Sequence, residues 1–246
     1  MGMSRYEQQM ALMRRIHPKH PQRDEIERTF VDGWLAAALG NDVRRVLDAG
    51  CGFQHGLVVQ YRGRLWAVGL DIDLETVRKN KDLDARALAD LGRIPLKDRS
   101  VDLIFCRDVL EHMHDPAAGM REFFRVLKPG GAVVLSTVNV KNPGMWSVRF
   151  VPQWLRKIVR SASFGPELGD NAPTFYRANT REQIAAVLEG EGFVVEQFAY
   201  YPTFSFYFRF ATPLFLLFTG MNRLLDDVGL RGRYGGILVA ATRPRD

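Results

Sequence analysis

The sequence predicts an α/β fold: a seven-stranded, mostly parallel, doubly wound sheet with helices on both faces. Two observations predict it. Short runs rich in Val, Leu, Ile and Ala recur along the chain, and stretches of helical spacing separate them. The runs are near-continuously apolar rather than alternating, as strands covered on both faces must be. Right-handed crossovers then stack successive strand and helix units into one wound sheet.

The elements follow in chain order. A helix is expected over Asp24–Leu39, where Ile26, Phe30, Trp34, Leu35 and Leu39 share a face and Asp24 caps the start. Strands are expected at Arg45–Ala49, Leu65–Asp71, Ala85–Ala89, Val101–Arg107 and Ala132–Val138. Helices are expected between them at Gln54–Tyr61, Leu74–Lys81 and Pro116–Leu127. The stretch DLGRIPLKDRS after Ala89 is too short and turn-rich for a full helix. Thr180–Glu189 reads as a helix, Phe193–Ala199 as a strand and GGILVAATRP as the last strand. These spans predict one domain over 1–246, with an N-terminal helical segment (1–43), a lid or insertion (139–179) and an aromatic-rich insertion (200–225).

Composition narrows the class. With 246 residues, 46% hydrophobic and 25% charged, the chain can bury a sizeable core, and disorder is not expected. Cys51 and Cys106 lie far apart in apolar surroundings, which offers neither a disulfide framework nor a metal-type cluster and fits a reducing cytoplasm. The opening MGMSRYEQQMALMRR is charged and amphipathic, unlike an export signal. The longest uncharged apolar stretch near the C-terminus, Phe210–Asn222, is interrupted by Pro213 and falls short of the roughly 20 residues a spanning helix needs.

The chemistry concentrates in VLDAGCGFQHG, Val46–Gly56. Counted from Gly50 and Gly52, a dinucleotide fingerprint would place its third glycine at position 55, where His55 stands. A pyrophosphate pressed against a helix N-terminus tolerates that poorly. S-adenosylmethionine carries no phosphate, so the turn amides and a few polar groups suffice beside Gln54 and His55. Asp48 and Asp71 end the first two strands, and in a wound sheet both reach the carboxyl edge. A carboxylate there can accept both hydroxyl hydrogens of a ribose, the role expected of Asp71.

Four blocks, VLDAGCG, AVGLDID, IPLKDRSVDLIFCRDVLEHMHDP and REFFRVLKPGGAVVLSTVN, cover about residues 44–139. Together they resemble class I S-adenosylmethionine-dependent methyltransferases of the small-molecule and lipid type, similar to the ubiquinone-biosynthesis O-methyltransferases. The resemblance implies a Rossmann-like domain. It places Asp48, Gly50 and Gly52 around the methionine part, Asp71 at the ribose, and Asp90 and Leu91 beside the adenine, with Cys51 and Ile72 also among the cofactor-binding residues. Arg107 and Asp108 would add contacts after the fourth strand. In LKPGG, Gly130 and Gly131 would supply positive φ and end the preceding helix. Gln54 departs from the family, which usually has a third glycine there.

Methyl transfer from a sulfonium needs positioning above all, and a base only for a weakly acidic acceptor. His112 in DVLEHMHDP is the candidate base, although His112 and His114 also suit a plain role at the start of a helix. Asp108, Glu111 and His112 would make only part of a divalent-cation shell, so no metal is expected.

Two segments point to a small-molecule or lipid-like acceptor, though both also suit ordinary core. In Val151–Ser161, Trp154, Leu155, Ile158 and Val159 share one face while Arg156, Lys157 and Arg160 share another, the pattern of a basic interfacial helix. Phe204, Phe206, Tyr207, Phe208, Phe210, Phe215 and Phe218 crowd a second segment. With a net charge of +6, peripheral contact with an anionic membrane is expected. A nucleic-acid methyltransferase acting on an exocyclic amine would carry Asn/Asp-Pro-Pro-aromatic after the fourth strand, where this chain has Arg107-Asp108-Val109-Leu110. No nucleic-acid partner is therefore expected. A noncatalytic protein that binds S-adenosylmethionine, or a nucleic-acid methyltransferase, is the alternative.

Overall fold

A computed structural model describes residues 5–18, 44–52, 65–148, 151–164, 173–203 and 210–246, with isolated positions at 25, 26, 28, 29, 32, 205 and 208. The expected helix at Gln54–Tyr61 lies outside the described residues, as does most of the one at Asp24–Leu39, of which the described positions are helical.

The chain divides into two compact units. The larger, comprising Glu27–Val138, Thr174–Ala199 and Ile237–Asp246, carries most of the sheet. Its strands are β1 (Arg45–Ala49), β2 (Trp66–Asp71), β3 (Ala85–Leu88), β4 (Val101–Arg107), β5 (Leu127–Val138), β6 (Val194–Tyr201) and β7 (Gly236–Thr242), in the order β3-β2-β1-β4-β5-β7-β6. The first five run parallel, with Leu47 beside Val68 on one side and Ile104 on the other. β7 is antiparallel to β5: Gly130 N and Arg243 N bond across one end, and Asn139 N reaches Gly235 O at the other. The expected fold is therefore present, a mostly parallel seven-stranded sheet.

Burial explains the apolar runs. Val46, Leu47, Leu103, Ile104, Val133, Val134 and Leu238 are all buried, so these strands have no solvent face. Helix α2 (Leu74–Lys79) starts on Asp73, whose carboxylate accepts from Glu75 N and Thr76 N. Helix α3 (Pro116–Val126) starts on Asp115, with Pro116 in its first turn. DLGRIPLKDRS forms no helix. Instead, the Arg125 guanidinium binds Ile94 O, Leu96 O and Asp98, while Glu122 accepts from Ile94 N.

One expectation needs correction. LKPGG belongs to β5, and α3 ends before it, with Leu127 as an extended cap. Of the two glycines only Gly130 has positive φ (+78°). Gly131 is needed for room, since a Cβ would come within 2.8 Å of Lys128 O and 3.0 Å of Asp102 O. The ladder to β4 skips here, from Val101–Leu127 to Leu103–Ala132.

The smaller unit comprises Met1–Ile26, Asn139–Pro173 and Tyr200–Gly236. Helix α1 (Arg5–Ile16) packs on a later helix, Thr212–Asp227. Gln9 Nε2 donates to Thr212 Oγ1 at 3.0 Å, His17 Nε2 pairs with Asp226 Oδ2 at 3.2 Å, and Arg223 donates to Ile16 O at 2.6 Å. Between them in sequence come α4 (Pro143–Val148) and α5 (Gln153–Phe164). Helix α6 (Arg181–Gly190), capped by Thr180, belongs to the larger unit, and Thr212–Asp227 is α7.

Candidate active site

β1 ends at Ala49, and the chain turns back through two left-handed residues, Gly50 (φ +74°) and Gly52 (φ +54°). A side chain there is strained on backbone grounds. At Gly50 it would also collide, since a Cβ would lie 2.2 Å from Val109 Cγ2. The turn after β1 is thus pressed against the segment after β4. It is fastened to β2 as well: Gly50 N and Cys51 N both donate to Leu70 O, at 2.8 and 3.0 Å.

Asp71 closes the turn. Its Oδ2 accepts from Gly52 N at 2.9 Å and its Oδ1 from Asp73 N at 3.0 Å, which fixes the carboxylate at the carboxyl edge of the sheet. From behind, buried Asn80 donates through Nδ2 to Gly52 O at 2.9 Å and Cys51 O at 3.4 Å. Sequence reading missed Asn80, because helical spacing carried the preceding helix through Lys81.

Asp48 is 6% exposed beside this turn. Burial pushes its carboxyl up to about 7, against the pull of Arg107, and the Asp71 charge pushes it further in the same direction. A buried carboxylate in that condition favours a cationic ligand. The Cys51 thiol, also buried, is pushed up to about 12 by burial first and then by Asp48 and Asp71, so it is a packing group rather than a nucleophile.

The other candidates flank this centre. Ala89 N donates to Asp71 O at 2.9 Å, so the chain leaving β3 passes alongside Asp71 before it reaches Asp90 and Leu91. Leu91 is buried, whereas Asp90 is exposed and its Oδ1 accepts from Gly92 N at 2.8 Å. Ile72 is 75% exposed. Arg107 is half-buried, and Asp108 adopts φ +55° with its amide on Ser136 O at 2.9 Å. A non-glycine residue held in that region marks a backbone fixed by its surroundings.

His112 ends a short 3₁₀ turn, Leu110–His112, and is half-buried. Glu111 points inward at 5% exposure and accepts from Thr137 Oγ1 at 2.6 Å. Burial first, and Asp108 second, push its carboxyl up to about 7. Among the described residues no group of three or more His, Cys, Asp or Glu is arranged to hold a metal ion.

A glycine turn between two acidic strand ends, on a sheet with one antiparallel strand, defines a Rossmann-like domain of the kind that holds a nucleoside ligand at its carboxyl edge. Residues 47–135 match the family described as "Methyltransferase domain". Its homologues include S-adenosylmethionine-dependent methyltransferases. A probable S-adenosylmethionine-dependent methyltransferase of Mycolicibacterium smegmatis is 40% identical over 102 residues, 39% of this chain and 38% of that protein. A ubiquinone biosynthesis O-methyltransferase of Neisseria meningitidis is 36% identical over 112 residues, 41% of this chain and 46% of its own. The chain thus spans less than half the length of these relatives. An S-adenosylmethionine-dependent methyltransferase from Mesorhizobium loti shares the fold, with a TM-score of 0.56 over 87% of this chain and 97% of that one at 21% identity.

Proposed function

We propose that this protein is an S-adenosylmethionine-dependent methyltransferase that methylates an oxygen of a small or lipid-like acceptor. The observation that carries the reading is the turn from Asp48 to Gly52 locked onto Asp71. These residues suit that cofactor. Asp71 offers a fixed carboxylate for a diol, the turn offers amides without a Cβ in the way, and Asp48 offers a buried negative charge for a cationic group. Gly50, Cys51 and Gly52 would line the amino-acid end, Ile72 would adjoin the ribose beside Asp71, Asp90 and Leu91 would flank the base, and Arg107 and Asp108 the side facing β4.

When bound, the cofactor supplies an electrophilic methyl group on sulfur. His112 then has one task, to take the proton from the acceptor hydroxyl as its oxygen attacks. The two residues before it, Leu110 and Glu111, are buried.

The acceptor's character is read from the smaller unit. By sequence it holds 14 Lys and Arg against 7 Asp and Glu, a net +7, leaving 20 against 21, a net −1, in the larger unit. Such segregation favours peripheral contact with an anionic membrane, where a lipid-like acceptor is held. No described helix is long and apolar enough to cross a membrane. Two free, buried cysteines are consistent with work in the cytoplasm.

Calorimetry with S-adenosylhomocysteine and with NAD decides the cofactor: micromolar binding of the first and none of the second is expected, and the reverse overturns the reading. Methyl-tritiated donor with an alkyl-chain catechol tests the acceptor atom. Label is expected in the solvent-extractable ether, and transfer to a primary amine but not to the catechol would reject oxygen.

A further inference from the structure

Behind His112 lies a polar chain that the transfer reaction as described above does not use. Glu111 Oε2 accepts from Thr137 Oγ1 at 2.6 Å, and Thr137 Oγ1 accepts from Asn179 Nδ2 at 2.7 Å. Asn179 Nδ2 also reaches Val138 O at 3.2 Å, and its amide donates to Gln183 Oε1 at 3.2 Å. All three side chains are buried: Glu111 at 5% exposure, Thr137 at 1% and Asn179 at 0%. The main chain of Glu111 joins in, since its carbonyl accepts from Phe175 N at 2.7 Å and Tyr176 N at 3.3 Å. Tyr176 is held at φ +53°, an uncommon conformation for an aromatic residue. The strap so fixed, Thr174–Arg177, sets the Phe175 ring edge-on to His114 at 5.2 Å and brings Arg177 within 3.3 Å of His114 Nε2.

This arrangement is a poor way to gain stability. Among the described residues, Asn179 Oδ1 is buried without a hydrogen-bond partner, and the buried Glu111 carboxylate accepts from a hydroxyl rather than a cation. Unsatisfied buried polar atoms are rare and destabilising, so one that persists calls for another reason. Position supplies it. The sheet order places β4 and β5 on the side of β1 opposite β2, where Asp71 sits. At about 4.8 Å per strand, Thr137 on β5 stands roughly three strand spacings from Asp71. The polar chain therefore lies away from the ribose side of the site and next to the candidate base.

We propose that Glu111, Thr137 and Asn179 form a buried clamp that positions the strap Thr174–Arg177 as the acceptor-side wall of the site. Phe175, 39% exposed, is the ring this wall presents to the acceptor. These are positioning residues, and the assignment rests on the methyltransferase reading above.

The test uses the full chain and Thr137→Val, with Thr137→Ser as the conservative counterpart. Loss of one buried hydrogen bond is expected to speed hydrogen exchange at the Phe175 and Tyr176 amides by about tenfold. Affinity for S-adenosylhomocysteine is expected to hold. With the alkyl-chain catechol, KM is expected to rise by about tenfold while kcat changes little. Thr137→Ser is expected to restore all of these. Asn179→Ala repeats the test from the other end of the clamp if Thr137→Val does not fold. Unchanged exchange in both variants overturns the clamp. So does a loss of donor affinity that matches the rise in exchange, or a failure of serine to rescue. If the wild-type protein ignores S-adenosylhomocysteine, the methyltransferase reading fails by itself, and the exchange comparison still decides whether the clamp holds the strap.

Discussion

Two aspartates with the same formal charge sit in opposite conditions at this site. Asp71 is satisfied by two main-chain amides, whereas Asp48 is buried and its carboxyl is pushed up to about 7. A carboxyl whose folded value lies above its unfolded one binds its proton more tightly when folded. The stability this gives is complete below the ordinary aspartate range and is lost as pH rises through about 7. Glu111 has the same sign and the same upper limit. The unliganded protein is therefore expected to melt at progressively lower temperature between pH 5 and pH 8, and Asp48→Asn with Glu111→Gln to flatten that slope, measured by calorimetric scans. Binding a cationic donor favours ionised Asp48, so titrations near neutrality in buffers of different ionisation heat are expected to show proton release, which Asp48→Asn abolishes. Asp71→Asn keeps the shape but removes the charge. Donor affinity is expected to fall about 10- to 100-fold, the scale of one or two charge-assisted hydrogen bonds, read as Kd for S-adenosylhomocysteine.

At the scale of elements, the site depends on the turn after β1 fitting under the segment after β4. Gly50→Ala introduces two separate penalties: a left-handed backbone with a Cβ, and the 2.2 Å approach to Val109 Cγ2. Together they are expected to lower stability by roughly 1–3 kcal/mol. Adding Val109→Ala is expected to recover the packing part alone, and full recovery in urea titrations would mean that the backbone is not strained. The strands of this layer were legible because each is a short apolar run. β1 and β4 have the predicted bounds, and β2 and β3 differ by one residue. The places of Asp48, Gly50, Gly52 and Asp71 at the strand ends and turn were legible for the same reason, being fixed by where those runs end. The excursion at LKPGG was misread because local pattern cannot show that Gly130 pairs with Arg243, across the sheet. Asn80 and Thr137 were missed on similar grounds. Their partners, Gly52 O and Asn179, are 28 and 42 residues away, and periodicity reports which face a residue takes, not which distant group it reaches. The aromatic segment divides: Phe215 is buried, Phe208 and Phe218 stack at 4.5 Å, and Phe204, Phe206 and Tyr207 lie outside the described residues.

For the molecule as a whole, the informative quantity is where the charge resides. A net +6 spread evenly would be an ordinary solvated surface, but the smaller unit carries +7 and the larger −1. The same unit leaves large apolar side chains in solvent: Trp154 at 64% and Ile158 at 56% on α5, Leu217 at 63% and Leu224 at 60% on α7. Trp154 and Ile158 are one helical turn apart, so they share a side of α5, while Leu155 and Val159 are half-buried. Under the proposed reading, this basic unit with its exposed apolar groups is the face that meets a negatively charged bilayer surface. Each basic residue near such a surface contributes about 1 kcal/mol, attenuated beyond a Debye length of roughly 10 Å at 0.1 M salt. Burying Trp154 and Ile158 adds about 1.5–3 kcal/mol apiece. The protein is therefore expected to sediment with phosphatidylglycerol vesicles at low salt, to be largely released as ionic strength rises, and to ignore phosphatidylcholine vesicles. Trp154→Ala with Ile158→Ala tests the apolar share, since it is expected to weaken vesicle binding by at least about tenfold and leave donor affinity intact. Equal binding to neutral and anionic vesicles would show that the charge segregation plays no part, and binding to neither would remove the membrane from the function while leaving the donor site untouched.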